Sequence, residues 1–403
     1  MVFRPYRNQA GPGLDTVFLQ TNENHRLLDQ RKTSTQMKRT HFKKRLMPKP
    51  RLVIPTLDFL PNRGGQQEYV FEIAQRLENW EITIVTPVSG PPVYSPPPAE
   101  GRFSRVVLPS TNPIHLWQGI RTLRPDLLLL GHAHPRLLLA GFLWGKYGTL
   151  TFGNDFLAAQ RHWHTPFFNA LLRRSCPLVA ITHAMGARLQ ALGMPPPVIV
   201  LPGTNPARFT PADSPPQTPI LLTLCRLVPR KGIDTVLRAL PALLESFPTL
   251  RYRIGGNGPD RERLETLAAE LGIAQAVEFL GFVPDEELPT LYRSATIFVM
   301  PAREEPNAAS VEGFGIVYLE ASASGIPVVA GNSGGTAEAV RDGETGLLVP
   351  PDDPAALTQT LIQLLSDPGL CRRLGDTGRR WAEDTMNWER TTVKLQKILE
   401  NML

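Results

Sequence analysis

Two glutamates, Glu312 and Glu320, stand eight residues apart across the run Gly313-Phe314-Gly315-Ile316-Val317-Tyr318-Leu319. A helix that begins near Gly315 has first-turn N–H groups without partners and partial positive charge at that end. Glu312 then lies just before an anion-attracting terminus, and Glu320 more than a turn inside it. A phosphate bound at the helix start has one carboxylate on each side. That arrangement suits a sugar joined to a nucleotide through a diphosphate. The diphosphate would sit at the amides, the sugar near Glu312 and the ribose hydroxyls near Glu320.

Cations for such a diphosphate are found upstream. Arg226 and Lys231 follow the apolar run Ile220–Leu224 and precede a helix opening at Asp234. Taken alone, they read rather as a solvated basic loop; with the glutamate pair downstream, they read as cations that neutralise the diphosphate without a metal. Gly255-Gly256-Asn257-Gly258 follows another apolar run, and glycines there let backbone approach a ligand. The dinucleotide fingerprint needs a third glycine where Arg261 stands, so the cluster is also readable as a plain turn. Gly64-Gly65 mark either a loop that needs positive φ or a backbone brought against the sugar-phosphate from an opposite domain. No Walker-type Gly-Lys-Ser/Thr and no Asp-x-Asp occur. Their absence disfavours a P-loop hydrolase and a transferase that holds a divalent cation through that motif, so no metal and no cofactor are expected. His132 and His134 flank Ala133 after the run Leu127–Leu130. They read as loop histidines that line the acceptor side of a cleft, since no third metal ligand accompanies them.

The elements that must position these groups alternate. Apolar runs at Leu52–Ile54, Ile82–Val85, Val106–Leu108, Leu127–Leu130, Leu150–Phe152, Leu178–Ile181 and Val198–Leu201 are mostly separated by helical patterns. The grammar starts again after a Pro-rich stretch, with strands at Ile220–Leu224, Tyr252–Ile254, Val277–Leu280, Ile297–Met300, Val328–Val329 and Leu347–Val349. This alternation predicts an α/β protein with two doubly wound, Rossmann-like domains facing across a cleft. The expected parts are a basic, disordered extension over 1–48, an N-terminal acceptor-side domain over 49–205, a linker over 206–218 and a nucleotide-sugar-binding domain over 219–385. A C-terminal helix over 386–403 has the option of crossing back to the N-terminal domain. A second reading of the extension is that translation starts at Met37 or Met47.

Charge and composition bound the rest. The net charge is +6, but residues 1–50 hold eleven Lys/Arg against three Asp/Glu, so the body is slightly acidic and nucleic-acid binding is not implied. Three scattered cysteines, Cys176, Cys225 and Cys371, fit a reducing compartment. No apolar run reaches the roughly 18–20 residues of a membrane span. The expectation is a cytoplasmic protein, with contact at the inner face of the cell membrane left open. Trp163, Phe167, Ala170 and Leu171, with Arg161, Arg173 and Arg174 at the ends, are either an amphipathic basic helix for anionic lipid or a core-facing helix with charged ends.

The ordered set of motifs resembles the retaining, nucleotide-sugar-dependent glycosyltransferases of family 4, which have the GT-B fold. The segments are Arg226-Leu-Val-Pro-Arg-Lys231-Gly232, Gly256-Asn-Gly258, Gly281-Phe-Val283, Glu312 to Glu320 with the following Ala321-Ser-Ala-Ser-Gly325-Ile-Pro327, Gly334-Gly335 and Gly343-Glu-Thr-Gly346. The resemblance runs from about Leu52 to the C-terminus and is dense after Pro219. It implies that Glu312 contacts the donor sugar, Glu320 the ribose, and Arg226 and Lys231 the diphosphate. Phe314, Gly315, Ile316 and Val317 would assist, Gly64 and Gly65 would approach from the N-terminal domain, and Phe282 and Val283 would neighbour the base. The signature around Glu312 is similar to that of mannosyltransferases acting on phosphatidylinositol mannosides.

One departure stands out. Many members of that family carry a histidine in the segment matching Thr151–Asp155; here Gly153 takes the place, with Asn154 and Asp155 beside it. Either Asp155 or a neighbouring histidine then supplies the sugar contact, or the donor differs. The resulting expectation is a metal-independent, retaining transferase moving a hexose from a GDP- or UDP-sugar to a lipid, glycan or small-molecule acceptor. An epimerase of the same architecture and a non-catalytic nucleotide-sugar binder are the alternatives.

Overall fold

The structure is a computed structural model that describes residues 48–59, 64–87, 102–108, 110–214, 216–305, 307 and 309–403. The basic extension expected over 1–48 lies outside the described residues except for Pro48. The described residues form two parallel sheets. The first holds β1 (Arg51–Pro55), β2 (Glu81–Pro87), β3 (Phe103–Leu108), β4 (Leu127–Leu130), β5 (Gly148–Thr151), β6 (Leu178–Ala180) and β7 (Val198–Ile199), in the order β3-β2-β1-β4-β5-β6-β7. The second holds β8 (Ile220–Leu224), β9 (Arg251–Gly255), β10 (Val277–Gly281), β11 (Ile297–Met300), β12 (Val328–Gly331) and β13 (Gly346–Val349), in the order β10-β9-β8-β11-β12-β13. Strands such as Leu127–Leu130 and Ile297–Met300 are buried at every position, as helices on both faces of a parallel sheet require. The order of each sheet reverses between its first and fourth strands, and ligands of doubly wound sheets bind beyond the carboxyl ends there.

Those two sets of carboxyl ends meet. Asn154 Oδ1 accepts from the Val311 amide at 2.8 Å. Arg188 pairs with Glu304, and Arg161 donates to the Asn307 carbonyl. Glu338, on the short helix Thr336–Ala339, caps the helix His183–Ala191 of the first sheet. It accepts from the amides of His183 at 2.8 Å and Ala184 at 2.9 Å, and lies 2.7 Å from His183 Nδ1. A carboxylate is well placed at a helix N-terminus. Gly313 fits where a methyl group would overlap the Phe152 carbonyl oxygen.

The chain passes between the sheets twice, and the two passages touch. Thr204 N donates to Met386 O at 2.9 Å and Trp388 N to Thr204 O at 3.2 Å. At Gly203 a side chain would strike the Asn387 backbone. The last helix, Trp388–Glu400, lies against Gly65–Arg76 of the first half. There Trp388 meets Tyr69 edge-on at 5.7 Å, and Arg76 binds Glu389. Arg379 fixes the segment after β7 to the second half by donating to the carbonyls of Pro206 at 2.8 Å and Ala323 at 2.6 Å.

Candidate active site

The helix Ile316–Ala323 begins at Gly315, whose φ of +90° is a left-handed conformation suited to glycine. A Cβ there would also run into the Tyr318 ring. No side chain caps this helix, so the first-turn amides of Ile316 and Val317 have no side-chain acceptor. Glu312 is buried just ahead of it. Lys231 Nζ and Arg230 Nη1 each donate to Glu312 Oε2 at 2.6 Å. Burial pushes the Glu312 pKa up, but the Lys231 ammonium and then the Arg230 guanidinium outweigh it, and the net direction is down. The carboxylate therefore stays ionised beside a helix end that attracts anions.

The structure thus brings Glu312 and Lys231 together. Arg226 does not join them: its side chain is exposed, and no hydrogen bond or ion pair engages it among the described residues. The loop that carries it is held by its backbone, with Cys225 N donating to Gly255 O at 3.0 Å and Leu227 N to Asn257 O at 3.0 Å. The second cation on Glu312 is Arg230, in the turn Pro229–Lys231. Its only sequence signal is its place beside Lys231.

Gly256 and Gly258 are needed for a different reason from the expected one. Side chains there would collide with the carbonyls of Cys225 and Leu227. These glycines seat the loop of Arg226. Gly64 and Gly65 do not have positive φ. Gly65 does approach from the first half, since a Cβ there would come within 3.8 Å of Ile316 Cδ1. The Phe314 side chain is packed in the core, which leaves only its backbone for a ligand. Phe282 is 70% exposed beyond β10, while Val283 packs against the hydrophobic core.

Asp155 is redirected from a sugar contact to a loop clamp. Oδ1 accepts from the amides of Phe152 at 3.0 Å and Gly153 at 2.9 Å, and Oδ2 from Ala133 at 3.0 Å. Burial raises its pKa against those bonds. Gly153 itself has φ +115°, and a Cβ would lie 2.8 Å from Met185 Sδ. The departure from the histidine motif is therefore built into the backbone. His132 is buried with Nδ1 3.2 Å from Thr56 Oγ1, and burial followed by His134 pushes its pKa down to about 3. His134 caps the helix Pro135–Trp144 by accepting from the Arg136 amide at 3.2 Å. Burial, Arg136 and His164 push its pKa down to about 4. Both rings are neutral at physiological pH.

Glu320 accepts from Tyr292 Oη at 2.7 Å, a partner the sequence did not announce. Burial pushes its pKa up to about 7, with Tyr292 opposing and Glu68 adding to the rise. The folded chain then keeps a proton that the unfolded chain loses at lower pH. Stability from this group is full below the usual carboxylate range and is lost as pH rises through about 7. Urea unfolding between pH 5 and 8 should show a loss of up to about 3 kcal/mol from this group, and Glu320→Gln should flatten that slope. An unchanged slope in the variant would assign the pH dependence elsewhere.

The solved structure of sucrose-phosphate synthase from Thermosynechococcus elongatus superposes with a TM-score of 0.76 at 22% identity, covering 88% of this chain and 99% of that one. HepE from Anabaena, in complex with UDP and glucose, does so with a TM-score of 0.72 at 17% identity, covering 87% and 100%. At these identities the likeness speaks for the fold, which is that of the GT-B glycosyltransferases. The family model described as glycosyl transferases group 1 matches residues 207–381. The GDP-mannose-dependent alpha-(1-6)-phosphatidylinositol monomannoside mannosyltransferase of Mycolicibacterium smegmatis is 33% identical over 380 residues, 86% of this chain and 98% of that relative. The chain belongs to the glycosyl transferases group 1 family and is a nucleotide-sugar glycosyltransferase.

Proposed function

We propose that the protein is a retaining, metal-independent mannosyltransferase that takes mannose from GDP-mannose and gives it to a hydroxyl of a lipid-linked inositol glycoside. The observation that carries this reading is the ionised Glu312, held by Lys231 and Arg230 at an uncapped helix start. The full-length similarity to a GDP-mannose-dependent enzyme supports the choice of donor.

In this arrangement the diphosphate lies against the amides of Ile316 and Val317, with Lys231 as its cation. Glu312 orients the sugar, and Glu320 receives the ribose hydroxyls. The acceptor hydroxyl attacks the anomeric carbon on the face from which the diphosphate departs. The carbon–phosphate oxygen bond breaks, the new glycosidic bond forms, and the hydroxyl proton passes to the leaving phosphate oxygen. Charge developing on that oxygen is met by fixed donors, the kind of stabilisation that lowers barriers most.

A lipid acceptor is supported by the outer surface of the first half. The helix Thr165–Leu172 buries Phe168, Leu171 and Leu172 but leaves Phe167 53% exposed, with Trp163 93% exposed just before it. Exposed Phe142 and Leu143 lie on the packed neighbour Pro135–Trp144, with the Arg174 guanidinium 4.9 Å from the Phe142 ring centre. Aromatic side chains beside cations suit a membrane interface. Among the described residues no helix is long and apolar enough to cross a membrane.

Thermal-shift measurements with GDP, UDP and ADP fix the base; stabilisation by GDP above the other two is expected. Turnover of GDP-mannose with phosphatidylinositol monomannoside in vesicles, followed by NMR of the product linkage and repeated in EDTA, tests acceptor, stereochemistry and metal together. Conversion of the donor without acceptor would instead favour an epimerase.

A further inference from the structure

Two cations share one oxygen of Glu312, and they are not equivalent. Lys231 and Arg230 both donate to Oε2, while no described residue bonds to Oε1. Lys231 makes no other side-chain bond, and its ammonium sits on a flexible four-carbon stem. Arg230 is tied more firmly. Its Nη1 also donates to the Val311 carbonyl at 3.3 Å, and its own carbonyl accepts from the Arg303 amide at 2.8 Å. Arg303 is in turn paired with Asp234 at 3.1 Å and Asp352 at 2.5 Å. Behind the turn, Gly232 has φ +69° and a Cβ there would overlap the Pro301 carbonyl, so the turn cannot easily shift toward β11.

We propose that Arg230 is the positioning residue of this site: it holds Glu312 with Oε1 facing the sugar while Lys231 leaves the carboxylate for the donor diphosphate. The proposal rests on the reading of Glu312 as the sugar-facing acid and Lys231 as the diphosphate cation. It adds a division of labour. If Lys231 were alone on Glu312, donor binding would strip the carboxylate of its only counter-ion at the moment it must be ionised and fixed. Arg230 keeps one charged bond to Oε2 and one to the adjacent backbone throughout. The diphosphate therefore gains Lys231 without loosening Glu312, and Arg230 does not contact the phosphates.

The test compares Arg230→Gln, Arg230→Lys and Lys231→Gln in the full chain, with GDP affinity by calorimetry and kcat and donor KM from transfer assays. Removing an outer partner that orients a site group typically costs about 10–100-fold. Arg230→Gln should lose that much in kcat, with GDP affinity and donor KM unchanged within about threefold, and Arg230→Lys should recover part of the loss. Lys231→Gln should weaken GDP binding. Equal loss of GDP affinity in Arg230→Gln and Lys231→Gln would make Arg230 a phosphate ligand and overturn the proposal, as would a folded Arg230→Gln with wild-type kcat. If Arg230→Gln does not fold, the Arg230→Lys variant decides: lowered kcat with retained GDP affinity supports the proposal, and lowered GDP affinity overturns it. Failure of the underlying functional reading has a separate signature, in which the unaltered protein neither binds GDP nor transfers mannose.

Discussion

Glu312→Gln should cut sugar transfer by about 10²–10³-fold, the cost of removing a charge-stabilising group from a preorganised site. The amide keeps the shape of the carboxylate but not its charge. Lys231 and Arg230, both 2.6 Å from Oε2, would lose their counter-ion and repel each other. Removing one partner of a buried ion pair costs about 3–5 kcal/mol, and the retained amide oxygen should soften that, so the melting temperature should fall by a few degrees without unfolding. GDP should restore part of this loss, because its diphosphate supplies negative charge to Lys231 and so relieves the repulsion between the two cations. GDP affinity of the variant should equal or exceed that of the parent. Transfer assays and GDP-dependent melting curves check both halves, and unaltered turnover would remove Glu312 from the chemistry.

Gly313→Ala should abolish nearly as much activity by a different route. The added methyl overlaps the Phe152 carbonyl oxygen and comes within 3.4 Å of Ile181 Cδ1, both on the opposite half of the molecule. The halves must separate locally to admit it, and the Asn154–Val311 bond beside it would lengthen. A displacement of about 1 Å at a reacting centre can cost about 10²-fold. The second half keeps its own core, so GDP binding and the melting temperature should change little. Transfer reduced about 10²-fold with intact GDP affinity is the expected result. Wild-type turnover would show that the approach of Gly313 to Phe152 is not required for catalysis.

Much of the scaffold was legible because parallel strands covered on both faces are apolar throughout. Leu127–Leu130, Ile220–Leu224 and Ile297–Met300 have the same bounds in sequence and structure. Where backbone chemistry intervened, bounds moved. The strand expected over Leu150–Phe152 runs instead over Gly148–Thr151, and the Phe152 amide donates to Asp155 Oδ1. The strand expected to reach Leu201 ends at Ile199, and the Leu201 carbonyl instead accepts from Thr391 Oγ1 of the last helix.

The site was legible where a helix start and its flanking acids share one short segment. It was not legible where partners come from distant segments. Arg230 meets Glu312 across 82 positions, and Glu338 meets His183 across 155. Tyr292 meets Glu320 across 28. Asp155 is instructive in the other direction: its place in a motif-like segment suggested chemistry, but three nearby amides had already claimed its oxygens. Residue type limits what a side chain can do, and only packing decides which backbone groups it must satisfy first.

The two passages of the chain between the halves run side by side, tied at Thr204, Met386 and Trp388. Two adjacent crossings joined by a single bridge between Thr204 and Asn387 favour a swing about one shared pivot over sliding or twisting. The C-terminal helix is then more than a tail. Through Trp388 and Glu389 at its start it anchors to Tyr69 and Arg76 of the far half, which adds a second tie beside that pivot.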